Sequence, residues 1–148
     1  MLIELNKNHI KNTLFAILFF IPVLEFPQVI VQEDDRQSLW KGITGYELVS
    51  QRSNDKVEYT FYYRNSEIGA KLEGLSIAFS NREDALTFFE TGLKTLETSK
   101  EFSLTIDGKT YRMYKSVGTL VFSGRSSSGI LNKTQILRLI EILNQQEK

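Results

Sequence analysis

Phe102-Ser103-Leu104-Thr105-Ile106, then Asp107-Gly108, then Lys109-Thr110-Tyr111-Arg112-Met113-Tyr114, reads as two strands joined by a two-residue turn. Asp-Gly accepts the positive φ angles of a type I′ turn, whose twist matches that of the flanking strands. The turn then sets the register: Ile106 opposes Lys109, Leu104 opposes Tyr111, and Phe102 opposes Met113. The apolar residues therefore coincide on one face, and a sheet with one greasy face has to be covered by another layer.

The rest of the chain is read outward from this hairpin. Downstream, Ser116-Val117-Gly118 turns into a strand from Thr119 to Ser123, with Leu120 and Phe122 on one side. Gly124-Arg125-Ser126-Ser127-Ser128-Gly129 reads as a flexible loop leading to a last helix. Asn132 is the expected cap of that helix, Gln135 completes a capping box, and Leu131 packs on Ile136 as a hydrophobic staple. Ile136, Leu137, Ile140 and Leu143 form its expected apolar stripe.

Upstream, Tyr46 to Gln51 and Val57 to Tyr63 form a hairpin across the turn-rich residues 52–56. Val57, Tyr59, Phe61 and Tyr63 share a face because side chains alternate along a strand. A third strand runs from Ala70 to Phe79, with Leu75, Ile77 and Phe79 on one face and a bulge marked by Gly74. Ser80-Asn81-Arg82-Glu83 matches a capping box with Ser80 as the cap. The helix that follows carries Ala85, Leu86, Phe89, Leu93 and Leu96 as its stripe and ends near Thr98. Gly92 inside it costs about 1 kcal/mol relative to alanine.

The expected order is βββαβββα, an α+β class. One twisted antiparallel sheet of about six strands would have both helices on one face. That face would carry Tyr59, Phe61, Leu75, Ile77, Leu104, Tyr111, Met113 and Phe122. The two halves are parallel in element order and not in residues, so no sequence repeat is drawn.

Before this domain, Lys7 and Lys11 precede the uncharged run Thr13-Leu14-Phe15-Ala16-Ile17-Leu18-Phe19-Phe20-Ile21-Pro22-Val23-Leu24. Basic then apolar is the layout of a bacterial secretory leader, and the segment resembles exported-protein leaders in general without identifying a family. Glu25-Phe26-Pro27 lacks the small residues of a cleavage site, which leaves an uncleaved anchor over residues 13–31 as a second arrangement. Such a span would contain Glu25 and two prolines, against the about 20 apolar residues a span needs. Lysines before the run and Glu33-Asp34-Asp35 after it place the domain outside the cytoplasm, periplasmic or secreted. The cytoplasmic alternative uses residues 13–24 as a buried helix or an oligomer interface. Residues 33–39 are polar, lack a period and read as a linker, so the divisions are 1–32, leader or anchor; 33–39, linker; and 40–148, one α+β domain.

Composition excludes more chemistry than it suggests. The 148 residues suit a single core. The 18 basic and 18 acidic residues balance, and no run of five or more like charges supplies a nucleic-acid stripe. There is no cysteine, and the one histidine, His9, lies in the leader. Ser-His-Asp and Cys-His catalysis and His/Cys zinc sites all need residue types that the domain lacks. The expectation is no catalytic residue, no cofactor and no metal. Glu33, Asp34 and Asp35 have no glycine-centred calcium loop around them. Glu47, Glu58 and Glu73 lie on strands, where a carboxylate pair would have to face across a cleft to cut a glycan.

The G-x-x-x-x-G spacing of Gly124 to Gly129 fails as a phosphate loop, because Ile130 and Leu131 stand where lysine and a hydroxyl residue are required. Arg125 together with free amides at the helix start could still hold an anion. Asn132-Lys133-Thr134 matches a glycosylation pattern, but Asn132 serves as the cap. A recognition surface is assigned to Trp40, Tyr62, Tyr114, Arg125, Ser126 and Ser127, since aromatic and arginine side chains dominate binding surfaces. The functional expectation is a non-enzymatic, exported or membrane-tethered module that binds a protein or an envelope component. Its alternatives are a carboxylate-dependent enzyme acting on an envelope glycan or polymer, and a cytosolic interaction protein.

Overall fold

The computed structural model describes residues 35–42, 45–66 and 74–146. The chain divides into two units, Met1–Gln32 and Glu33–Lys148, and the described residues all belong to the second. The expected leader or anchor, His9, Glu33, Asp34 and Glu73 lie outside the described residues.

The fold is α+β, with eight strands and two helices among the described residues. Strands β1 (Asp35–Lys41), β2 (Glu47–Ser53), β3 (Lys56–Arg64) and β4 (Gly74–Phe79) form one antiparallel sheet in chain order, followed by helix α1 (Arg82–Thr98). Strands β5 (Phe102–Ile106), β6 (Lys109–Ser116), β7 (Thr119–Ser123) and β8 (Ser128–Leu131) form a second, followed by α2 (Lys133–Gln145). The single sheet of about six strands expected from the pattern is thus two sheets of four, and the order is ββββαββββα.

Both additional strands arise where the sequence hides its period. β1 occupies most of the stretch read as a linker. Its residues 35 to 38 are exposed, so no apolar alternation marks it, and its pairing with β2 supplies the order. Its register shifts between Ser38 and Trp40, a bulge that returns Trp40 to the face of Leu48. β8 emerges from the stretch read as a flexible loop and is held on both edges. It pairs with β7, while beyond β3 the amide of Ser66 donates to the Ser128 carbonyl at 2.7 Å and the amide of Ser128 donates to Asn65 Oδ1 at 3.2 Å. An edge satisfied in this way needs no long apolar pattern to persist.

The hairpin at residues 102–114 has the expected register, Ile106↔Lys109, Leu104↔Tyr111 and Phe102↔Met113. Asp107 and Gly108 both have positive φ, 49° and 71°, as a type I′ turn requires. β3 and β4 pair without a shift from Arg64↔Gly74 to Tyr59↔Phe79, so no bulge interrupts their pairing.

The core is aromatic. Phe61, Phe79, Phe88, Phe89 and Phe122 are fully buried, and their edges meet faces: Phe61–Phe89 at 5.3 Å, Phe88–Phe89 at 5.3 Å and Phe88–Phe122 at 5.5 Å between centroids. Edge-to-face pairs add about 1 kcal/mol each beyond area burial. The eight residues expected on the apolar face all belong to this core or pack against it, though they are divided between two sheets. Helix α1 explains how one core serves both, since it touches β3 and β4 of the first sheet and β5, β6 and β7 of the second, and lies along α2.

The helix faces differ in detail from the expected stripes. In α1 the buried residues are Ala85, Phe88, Phe89, Gly92, Thr95 and Leu96, while Leu86 and Leu93 are half-buried. Two layers press on this helix, so its buried face is wider than one stripe. Gly92 is the point of closest approach: a Cβ there would lie 2.5 Å from Leu120 Cδ2. Its cap is Asn81, whose side chain accepts from the Asp84 amide at 2.8 Å, while the Ser80 hydroxyl donates instead to Asp107 at 3.2 Å. In α2 the capping box of Asn132 and Gln135 forms as expected. Leu137 is exposed and Leu139 buried, because α2 docks mainly on α1.

Candidate functional site

Where the ends of the two sheets approach each other, a groove of about 810 Å³ opens between β4, the start of β6 and the loop joining β7 to β8. Its position follows from the seam described above. Tyr63 ends the core face of β3, and its hydroxyl meets the Ser127 hydroxyl at 3.0 Å. The loop carrying Ser127 is closed on itself by the Gly124 amide, which donates to the Ser127 carbonyl at 2.8 Å. Ser66 and Ser128 hydroxyls, 2.9 Å apart, pin the next residue. A loop that reads as flexible is therefore anchored at both sheets, which holds its side chains in place over the groove.

Three cations line the groove: Lys109 just after the type I′ turn, Arg112 on the outward face of β6, and Arg125 at the exposed tip of the loop. Arg112 binds Glu101 through Nη2 at 2.6 Å and Nε at 3.2 Å. Lys109 and Arg125 have no ion-pair partner among the described residues. The hydroxyls of Ser76, Thr110, Ser126 and Ser127 add donors and acceptors, and Tyr63 and Tyr111 form the buried inner wall. Burial pushes both phenols above their usual range. The Ser127 hydrogen bond partly opposes this at Tyr63, and Tyr63 and Asp107 add to it at Tyr111. Both phenols are accordingly neutral at pH 7 and able to donate.

Of the residues assigned to a recognition surface, the structure brings Arg125, Ser126 and Ser127 together in this groove and leaves the others elsewhere. Trp40 is half-buried, stacked on Phe61 with centroids 6.5 Å apart, so it belongs to the margin of the core. Tyr62 and Tyr114 are half-buried, and each ring lies under an arginine, Arg36 at 5.6 Å and Arg112 at 5.7 Å. The anion site expected from helix-start amides is not built that way. β8 separates Arg125 from α2, and the Asn132 side chain already accepts from the Gln135 amide at 2.9 Å.

Lys109, Thr110, Arg112, Tyr63 and Ser76 are groove residues that the pattern did not single out. Alternation along β6 sets Lys109 on the face of Tyr111 and Arg112 on the opposite face, and their meeting with β4 and with the β7–β8 loop depends on how the sheets approach. A second, smaller cleft of about 530 Å³ lies beside β1, lined by Asp35, Arg36, Gln37, Ser50, Arg52 and Tyr59 among others. Glu47 pairs with Lys41 at 3.7 Å and Glu58 is exposed on β3. Among the described residues no group of three or more His, Asp or Glu side chains is placed to hold a metal ion, and no helix is long and apolar enough to cross a membrane.

The chain matches no protein-family model, and no curated protein or solved structure matches it.

Proposed function

We propose that this chain is a non-enzymatic binding module, exported or tethered to the membrane by its N-terminal segment, that takes an envelope component into the groove between its sheets. The observation that carries the reading is the anchored loop: Arg125, Ser126 and Ser127 are held over a concave surface by the Tyr63–Ser127 contact and the Ser66–Ser128 seam. Preorganisation of this kind lowers the ordering cost of binding. At about 810 Å³ the groove is of ligand-site size. The lining mixes apolar surface with polar side chains able to orient a ligand, and the described residues around it contribute three cations and no carboxylate. This argues for binding over the two-carboxylate chemistry of a glycan hydrolase. Export rests on the basic-then-apolar order of residues 7–24.

Two experiments test the two halves. A reporter that works only outside the cytoplasm, fused after Lys148, is expected to be active; activity confined to a cytoplasmic reporter would refute export. For binding, full-length chain is expected to be retained saturably on isolated cell envelope, and Ser126→Trp, which fills the groove from an exposed position, to weaken retention about tenfold, or ~1.4 kcal/mol. Unchanged retention of a folded Ser126→Trp chain would rule out the groove.

A further inference from the structure

Resting on the groove as the recognition site, we infer that its ligand is an anionic saccharide, a chain of sugar units bearing carboxylate or sulfate groups. The argument starts from charge. Lys109, Arg112 and Arg125 all line one concavity in a chain whose formal net charge is zero. Among the described residues the acids on neighbouring positions are Glu101, engaged with Arg112 at 2.6 Å, and Asp107, which accepts from Ser80 at 3.2 Å. Among the described residues the three cations outnumber these two acids, and Lys109 and Arg125 have no ion-pair partner there. Cations that are not already paired favour an anionic guest, and a concave setting strengthens the attraction by focusing the field.

The rest of the lining selects what carries the charge. Serine and threonine hydroxyls can each donate and accept, which matches the hydroxyls of a sugar. Leu75 is the apolar side chain that β4 contributes. The inner wall is made of Tyr63 and Tyr111, whose rings are buried against Phe122 and Phe88, centroids 5.0 Å and 5.7 Å apart. Rings committed to the core in this way offer no stacking platform of the kind that single-stranded nucleic acid uses. An ester-linked or bare phosphate would use the same cations, so the source of the negative charge is decided by the probes below.

The test uses the full-length chain, kept in solution with mild detergent, and three probes: tetragalacturonate, its fully methyl-esterified neutral counterpart, and inorganic phosphate. Backbone amide NMR reports where each one binds. Tetragalacturonate is expected to shift the amides of Lys109, Thr110, Arg125 and Ser126, and to bind at least tenfold more tightly than the ester. The double variant Lys109→Gln/Arg125→Gln, at exposed positions, is expected to erase that difference while leaving the spectrum of the core unchanged. Raised salt should weaken the acid and not the ester. Equal binding of acid and ester in the groove would overturn the charge argument while leaving the groove as a binding site. Phosphate shifting the same amides as strongly as the tetramer would overturn the saccharide. No shift at the groove with any probe would overturn the inference, and loss of envelope retention in Ser126→Trp would then still stand as separate support for the groove.

Discussion

Residues 35–98 and residues 102–145 each run through four antiparallel strands into a helix whose start is capped by an asparagine side chain, yet the two halves are closed by different means. In the second half, two of the three connections are two-residue turns, Asp107-Gly108 and Val117-Gly118, and the third is a short loop drawn tight by Gly124 and Ser127. The first half has one such turn, Asn54-Asp55, and longer connections. The aromatic at the middle of each third strand also meets a different neighbour. Phe61 on β3 opposes Ile77, whereas Phe122 on β7 opposes Gly129 and lays its ring over it. Equal architecture therefore conceals unequal packing at this position: Phe61 meets a side chain across its strand pair, Phe122 bare backbone.

The halves also complete each other. Neither helix has a basic residue in its last turn, and each receives a cation from the other half. Arg82, at the start of α1, donates to the Gln146 carbonyl at 3.1 Å beyond α2, and Lys115 on β6 donates to the Leu96 carbonyl at 3.1 Å near the end of α1. Cations there satisfy carbonyls that have no partner within the helix and offset its negative end.

The largest expected effect breaks the backbone-packed half. A Cβ on Gly129 would lie 2.1 Å from the Phe122 ring, so Gly129→Ala should cost about 3 kcal/mol or more by overpacking. Urea denaturation would measure it, and Phe122→Leu in the same chain should recover part of the loss, a coupling that independent sites would not show. Gly124→Ala, with nothing nearer than 3.6 Å, is the control and should change stability by less than about 1 kcal/mol.

Next comes the exchange of caps. Arg82→Met should cost about 1–2 kcal/mol and speed amide exchange at the end of α2, in the opposite half. Lys115→Met, at a more exposed site, should cost about 0.5–1 kcal/mol with its exchange signature at the end of α1. Signatures confined to the mutated half would refute the reciprocity.

A pH scan sharpens the comparison at the seam. Burial raises Tyr59 and Tyr63 in the first half and Tyr111 in the second above the usual phenol range. A raised phenol keeps its proton in the folded chain after the unfolded chain has lost it. The stability it contributes is therefore present in full below about pH 10 and is lost as pH climbs through the folded value. Tyr63→Phe should flatten that alkaline decline; a decline that keeps its slope would assign it to other groups.

The smallest effect concerns the turns. Val117 is fully exposed with φ of 46°, a conformation that a β-branched side chain resists, whereas its counterparts Asn54 and Asp107 tolerate it. Val117→Asn should stabilise by about 0.5–1 kcal/mol in thermal melts, and no gain would show that the valine is held there without strain.

How much of this was legible varies with where each residue's information comes from. The 102–114 register was readable because turn chemistry and alternation are local and agree. The Asn132-Gln135 box was readable for the same reason. β1 was not, since Asp35 to Ser38 present no apolar period and take strand form only through β2. Ser80 and Asn81 both suit a cap, and the choice fell to Asn81 once Asp107 of the second half engaged the Ser80 hydroxyl. In the groove, Arg125, Ser126 and Ser127 could be picked out by residue type, but Tyr63 and Lys109 reach it from strands distant in the chain.

By itself the sequence determined the α+β class, the register of the 102–114 hairpin, the helices and the residues available to the core, because turn preference, side-chain alternation and capping act within a few residues. Only the tertiary structure decided that the strands divide into two sheets, that Phe122 closes over Gly129, and that Tyr63 meets Ser127 at the groove. The Tyr63–Ser127 contact joins segments 64 residues apart, and in all three the deciding quantity is the fit of surfaces once they are assembled, which no local preference encodes.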